Sequence, residues 1–307
     1  MTARRTDTKT ASYRIPGNRA AVLRFLVNCL LRIAAVLLVA AVAMILVRYG
    51  PGFETDEREL DPTLSAATRS AIHNQHLADG RLLEYSKNLM VGAFHGDFGE
   101  SKALGVPVRE LIAERGPATL RILAIGTASA WLVGLLWAIG LGIFRTPVLA
   151  GASTLANACL LCLPTAAIAA LLLNVNWPAE VILTVALVPK VFQVCRGLIV
   201  EAVEHSEVLA ARARGLGTAR ILGWYVLPRI AGPMLAWLAA TAGLAVGAVV
   251  PIEVICDVPG LGQLAWKAAL ARDLPVLVVL TLLVAIVIQL SNSASALVAG
   301  ALRGQRA

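Results

Sequence analysis

A chain of 307 residues with 58% hydrophobic and only 15% charged positions lacks the polar surface that a soluble domain of this length needs, so its class is integral membrane protein. The net charge of +8 is concentrated in the N-terminal arm, in a polar segment after residue 200 and in the tail. That distribution fits the positive-inside rule and not a nucleic-acid surface, where basic and aromatic residues would interleave.

Residues 1–24 form a basic arm carrying Arg4, Arg5, Lys9, Arg14, Arg19 and Arg24, and an apolar run over 25–47 follows. The run is about the twenty residues a bilayer crossing takes. Ala41-Val42-Ala43 has the small-residue pattern of a signal-peptidase site, but the apolar run continues past it, so an uncleaved first span with the N-terminus inside is expected. Residues 48–117 are hydrophilic and richer in acids than bases; with the N-terminus inside they must lie outside, and a loop this long can cross regardless of its Lys and Arg content. They open on a turn signal, Tyr49-Gly50-Pro51-Gly52, and contain His73-x-x-His76, a pair without a third ligand that reads as a solvated helix face.

Pro117 is expected to open the second span, 118–144, since proline suits the first turn of a helix. An inside turn at Arg145-Thr146-Pro147 leads to the third span, 148–173, which Pro164 should kink. A short outside turn, 174–178, precedes the fourth span, 179–200. Pro189, Lys190, Gln193 and Arg196 interrupt that span. A lysine at membrane depth costs at least about 2.5 kcal/mol unless it faces a cavity or snorkels. Arg196 therefore reads as an inner-surface anchor, and Lys190, with Gln193, as a candidate for the lining of a translocation path. The fifth span, 230–250, is rich in small residues such as Thr241, Gly243 and Gly247, which permit close helix packing; Thr241 and Gly247 are further path candidates.

Between the fourth and fifth spans lies a polar interruption, 201–233, with a short helix expected over 206–214 and a break at Gly215-Leu216-Gly217. Glycine there can take the left-handed conformation that ends a helix. After the fifth span comes an outside re-entrant stretch holding Glu253, Asp257, Pro259-Gly260-Leu261-Gly262 and Arg272-Asp273-Leu274-Pro275. Pro-Gly supplies a turn, and Arg272 and Asp273 should cap and orient a last span, 275–297. Of the five cysteines, Cys159-x-x-Cys162 alone has metal-like spacing, without a second pair to complete a site.

The polar segment resembles the coupling motif of permeases of ATP-binding-cassette (ABC) importers. That motif reads Glu-Ala-Ala, three residues, Gly, nine residues, then Ile-x-Leu-Pro. Ala210 and Ala211 fill the Ala pair, Gly215 the Gly, and Leu227 and Pro228 the closing pair. Leu209 replaces Glu and Tyr225 replaces Ile. The Ala-Arg-Ala-Arg-Gly-Leu run is similar to the dipeptide, oligopeptide and nickel branch, where the Glu is usually absent. Gly96-Asp97-Phe98-Gly99-Glu100-Ser101, Pro117 to Leu120, and the Pro-Gly-Leu-Gly and Arg-Asp-x-Pro elements resemble the same branch.

The resemblance implies an all-α membrane protein of about six spans: arm 1–24, first span 25–47, external loop 48–117, permease core 118–300 with coupling segment 201–228, and cytoplasmic tail 301–307. The chain would cross the bacterial cytoplasmic (inner) membrane several times, with both termini on the cytoplasmic side. Transport of short peptides, or of nickel chelates, would proceed by alternating access. The resemblance also implies four kinds of partner: a second homologous permease, two ABC ATPase subunits, an external solute-binding protein and the lipid bilayer. ATP and Mg would be bound by the ATPases, because the chain has no Gly-x-x-x-x-Gly-Lys-Ser/Thr, and no cofactor or metal is expected here. Glu207, Ala210, Ala211, Gly215, Leu216, Leu227 and Pro228 are the expected ATPase-coupling residues. Glu253, Pro259, Gly260, Gly262, Arg272 and Asp273 are the expected external gate.

Two other functions are open to an apolar chain of this kind. An intramembrane enzyme needs a nucleophile with a base, or a metal cluster, at membrane depth; yet His73, His76 and His95 fall in the external loop and His205 in the polar segment. A non-transporting scaffold or sensor with the same fold would fail to stimulate an ATPase.

Overall fold

The computed structural model of the chain describes residues 98–144 and 147–304, together with helical positions 30–32, 34, 35, 38 and 42. The basic arm, most of the first span, the insert through residue 97 with its three histidines, the Arg145-Thr146 turn and residues 305–307 lie outside the described residues.

Among the described residues the one extended pairing is a bridge between Glu100 and Pro107. Everything else regular is helical: α1 (Val108–Phe144), α2 (Pro147–Cys162), α3 (Thr165–Leu173), α4 (Ala179–Val203), α5 (Ser206–Ala213), α6 (Thr218–Ile221), a π-helical turn (Leu222–Val226), α7 (Leu227–Ile255), α8 (Leu261–Leu270) and α9 (Leu274–Gly304). Val108–Ile143, Ala179–Val203, Thr218–Ile255 and Leu274–Gly300 are long and apolar enough to cross a membrane, and the bent pair α2–α3 makes a fifth crossing if taken as one span.

Prolines shape these helices differently from what their positions in the sequence suggest. Pro117 does not start the second span; it lies inside α1, which begins at Val108. Val108 and Leu111 are buried against Leu264, Val276 and Leu280 of α8 and α9, and that packing carries the helix through the proline. Pro164 does more than kink the third span. It adopts an extended conformation (φ −61°, ψ 144°), α2 ends at Cys162, and α3 leaves at 96° to it. The pyrrolidine ring removes an N–H donor and pushes the preceding Leu163 out of the helical region. The fifth span is also longer than expected. The helix runs from Thr218 through the π turn into α7, with Pro228 in the first turn of α7. A widened turn just ahead of a residue that lacks its N–H accommodates the missing bond.

The most extensive pairing is α1 along α4, followed by α7 along α9. Close approach of α1 and α4 depends on Gly126 and Gly134, where a Cβ would come within 2.8 Å of Leu183 and 2.9 Å of Val191. Small residues at such contacts let helices gain dispersion energy where lipid offers no hydrophobic drive. A middle core joins Ile122, Leu183, Leu187 and Val249, and a second joins Phe192, Ile199, Val208, Val226 and Ile230 beside the polar segment. Phe192 stacks on Trp137 with ring centroids 4.3 Å apart.

Candidate functional site

The polar segment leaves α4 after Val203. His205, in an extended conformation (φ −69°, ψ 144°), precedes the eight residues of α5. A helix turns about 100° per residue, so positions three apart share a face. Val208 and Ala211 accordingly point inward, each 1% exposed, against the second core, while Glu207, Leu209, Ala210 and Ala213 are exposed. Ala211 was expected beside Ala210 in the partner contact; it instead roots α5 in the chain's own core. Arg214 ends the helix, and Gly215 takes φ +77° as its N–H meets the Arg212 carbonyl at 2.9 Å. Leu216 is half-buried against the same core, with its N–H on the Ala211 carbonyl at 3.3 Å. Leu227 is half-buried and Pro228 exposed at the start of α7.

Sequence reading missed what binds α5 to α7. Arg229 Nη1 donates to Glu207 Oε2 at 3.4 Å, and Arg229 Nη2 lies 2.6 Å from His205 Nε2. A guanidinium has donors and no acceptor, so His205 Nε2 is the accepting atom of this contact. A charged residue close after the Leu-Pro pair was the available signal.

At the other end of α7 the expected gate residues divide: Glu253 meets the Pro-Gly-Leu-Gly turn, and Asp273 finds other partners. Glu253 is not in the loop but in α7, 0% exposed. Its Oε2 accepts the N–H groups of Gly262 at 2.6 Å and Gln263 at 3.3 Å, which caps the N-terminus of α8. Both glycines of Pro259-Gly260-Leu261-Gly262 are required by this approach. A Cβ on Gly260 would intrude on the Glu253 carboxylate, and one on Gly262 would lie 2.7 Å from Val250 Cα. Thr119 Oγ1 accepts the Leu261 N–H at 2.8 Å, and Gln263 links Asp257 to Arg115, whose Nη1 donates to Gln263 Oε1 at 3.4 Å. Asp273, expected to cap the last helix, starts it only through its carbonyl, which accepts the Leu277 N–H at 3.0 Å. Its carboxylate turns away to the Ser101 hydroxyl and the Ala103 N–H, tying the 98–107 loop to α9. Arg272 holds φ +55°, the turn that lets this happen.

The path candidates divide. Lys190 is half-buried on α4 and Gln193 exposed one turn on. Gly247 is exposed, with open space where a Cβ would stand. Thr241 departs from them: it is 3% exposed and its hydroxyl donates to the Trp237 carbonyl of its own helix at 2.7 Å, so it faces packing and not an open surface of this chain. Arg196 donates to Thr154 of α2. Cys159 and Cys162 are exposed free thiols at the end of α2, and no group of three metal-ligating side chains occurs among the described residues.

Residues 130–304, which hold every helix from the second half of α1 onward, match the family model described as "Binding-protein-dependent transport system inner membrane component". The chain is 27% identical over 296 residues to the oligopeptide transport system permease protein OppB of Salmonella typhimurium, covering 86% of this chain and 92% of that one. It is 28% identical over 289 residues to OppB of Escherichia coli K12, with the same coverage. A putative peptide transport system permease protein of Brucella abortus is 27% identical over 210 residues, 60% of this chain and 67% of that one. An all-helical, multi-pass membrane protein with this match across more than half its length belongs to the family of inner membrane components of binding-protein-dependent transport systems.

Proposed function

We propose that the chain is a permease subunit moving short peptides across the cytoplasmic membrane by alternating access, driven by ATP hydrolysis in separate subunits. The reading of peptides, ahead of nickel chelates, is supported by the names of the relatives whose length the chain nearly spans. The observation that carries the mechanism is α5. It is a short polar helix rooted by Val208 and Ala211 at one end of the bundle, with Leu209, Ala210 and Gly215 presented outward. Leu209 is 52% exposed, a large apolar side chain that a seated partner would cover. In this reading an ATPase subunit holds each permease by α5 and moves it as a rigid body, and the helix bundle rocks around a central path. A second permease completes that path, an external binding protein delivers cargo, and both termini stay inside.

Reconstitution in proteoliposomes with the second permease, the ATPases and the binding protein tests the proposal. ATP-dependent accumulation of short peptides that requires the binding protein is expected. ATP hydrolysis indifferent to the binding protein, with no peptide accumulated, would sink it.

A further inference from the structure

We infer that Arg229 is the strut that holds α5 in a fixed orientation against α7, a positioning residue for coupling; this rests on the permease reading above. The apolar root of α5 is small. Val208 and Ala211 bury against the core, but apolar contact is non-directional and leaves a short helix free to roll on its root. The chain leaves the helical conformation on both sides of α5, at the extended His205 before it and at Gly215, φ +77°, after it. Directional restraint comes from Arg229, which reaches the residue that opens the helix and a residue in its first turn: His205 Nε2 at 2.6 Å and Glu207 Oε2 at 3.4 Å. The planar fork of a guanidinium can hold two such acceptors at once, which a lysine ammonium does less well.

What the strut connects gives it consequence. Arg229 lies in the first turn of α7, and α7 runs unbroken to Glu253, whose carboxylate caps α8 at the opposite end. A displacement of α5 held by Arg229 is therefore delivered along one helix to the Glu253–α8 brace. Glu207 is 71% exposed, and an exposed ion pair contributes little to global stability, so losing it should leave the unfolding temperature unchanged. A mechanical role and a stabilising role thus predict different outcomes.

The experiment is the ratio of ATP hydrolysed to peptide accumulated in the complete reconstituted importer. The cargo is a protein digest of short peptides quantified by mass spectrometry. Arg229→Ala should raise that ratio about fivefold or more with the unfolding temperature unchanged. Arg229→Lys should recover part of the coupling. The double variant His205→Ala/Glu207→Ala, which keeps Arg229 and removes both acceptors, should match Arg229→Ala, and combining all three should add nothing. It also serves should Arg229→Ala fail to fold. Wild-type ratios in Arg229→Ala and the double variant, in a preparation where the unaltered chain couples normally, would overturn the strut. No ATP-driven uptake by the unaltered chain would instead overturn the permease reading on which it stands.

Discussion

Glu253 of α7 and Gly262 of α8 meet through a 2.6 Å hydrogen bond, carboxylate oxygen to backbone N–H, at a point where Glu253 has no solvent exposure. The chain folds back between these positions, nine apart, so that a buried acid in the last turn of α7, which ends at Ile255, caps the start of α8. The brace is the fixed point at the far end of the helix that starts beside the polar segment.

The brace should be sensitive to both partners. Glu253→Ala leaves the N–H groups of Gly262 and Gln263 buried without an acceptor, at a cost of about 1–3 kcal/mol for an unsatisfied group. Gly262→Ala should also destabilise, by about 1–3 kcal/mol, because its methyl must displace Val250 backbone rather than a side-chain end. Glu253→Gln, which keeps one acceptor oxygen, should fall between wild type and Glu253→Ala. Thermal unfolding in detergent orders the three variants; equal stability of Glu253→Ala and wild type would exclude the cap.

Ala210 and Ala211 are adjacent and chemically identical, yet they should respond oppositely to bulk. Ala210→Trp projects from the exposed face and should leave the fold intact while blocking ATPase association. Ala211→Trp overpacks a position 1% exposed and should cost stability by about 1–3 kcal/mol. Pull-down with the ATPase alongside unfolding measurements separates the two effects.

Gly215 has nothing within 4 Å of where a Cβ would stand, so the objection to a side chain there is backbone strain alone. Gly215→Ala should cost about 1–2 kcal/mol from the left-handed conformation, and Gly215→Asn less, since asparagine tolerates that region. Gly215→Trp adds bulk to the exposed joint and should uncouple ATP hydrolysis from uptake. Coupled transport at the wild-type level in that variant would remove Gly215 from the lever.

Lys190→Met replaces a half-buried ammonium on α4 with an apolar chain of similar length. If Lys190 faces the translocation path, uptake should change while membrane insertion, assayed by protease protection, does not. Unchanged uptake would place Lys190 among the anchors with Arg196.

The helical class, the positions of most crossings and the two landmarks at either end of α7 were legible in the residues alone. Apolar run length sets where a helix is stable in lipid, and residues such as Gly215 and Pro259-Gly260 mark breaks through local backbone chemistry. The short turn at 174–178 also followed from local signals, and Asn176 takes the left-handed φ of 61° that asparagine tolerates. Tertiary structure alone decided which face of α5 is rooted, why α1 passes through Pro117 while the third span breaks at Pro164, and where Glu253, Thr119, Asp273 and Arg229 find their partners. The reason is physical. Propensity and hydropathy act over a few neighbouring residues, whereas the rotation of a helix about its axis and the acceptor met by a buried N–H depend on residues far along the chain. Thr119 and Leu261 stand 142 positions apart, and Ser101 and Asp273 stand 172 apart.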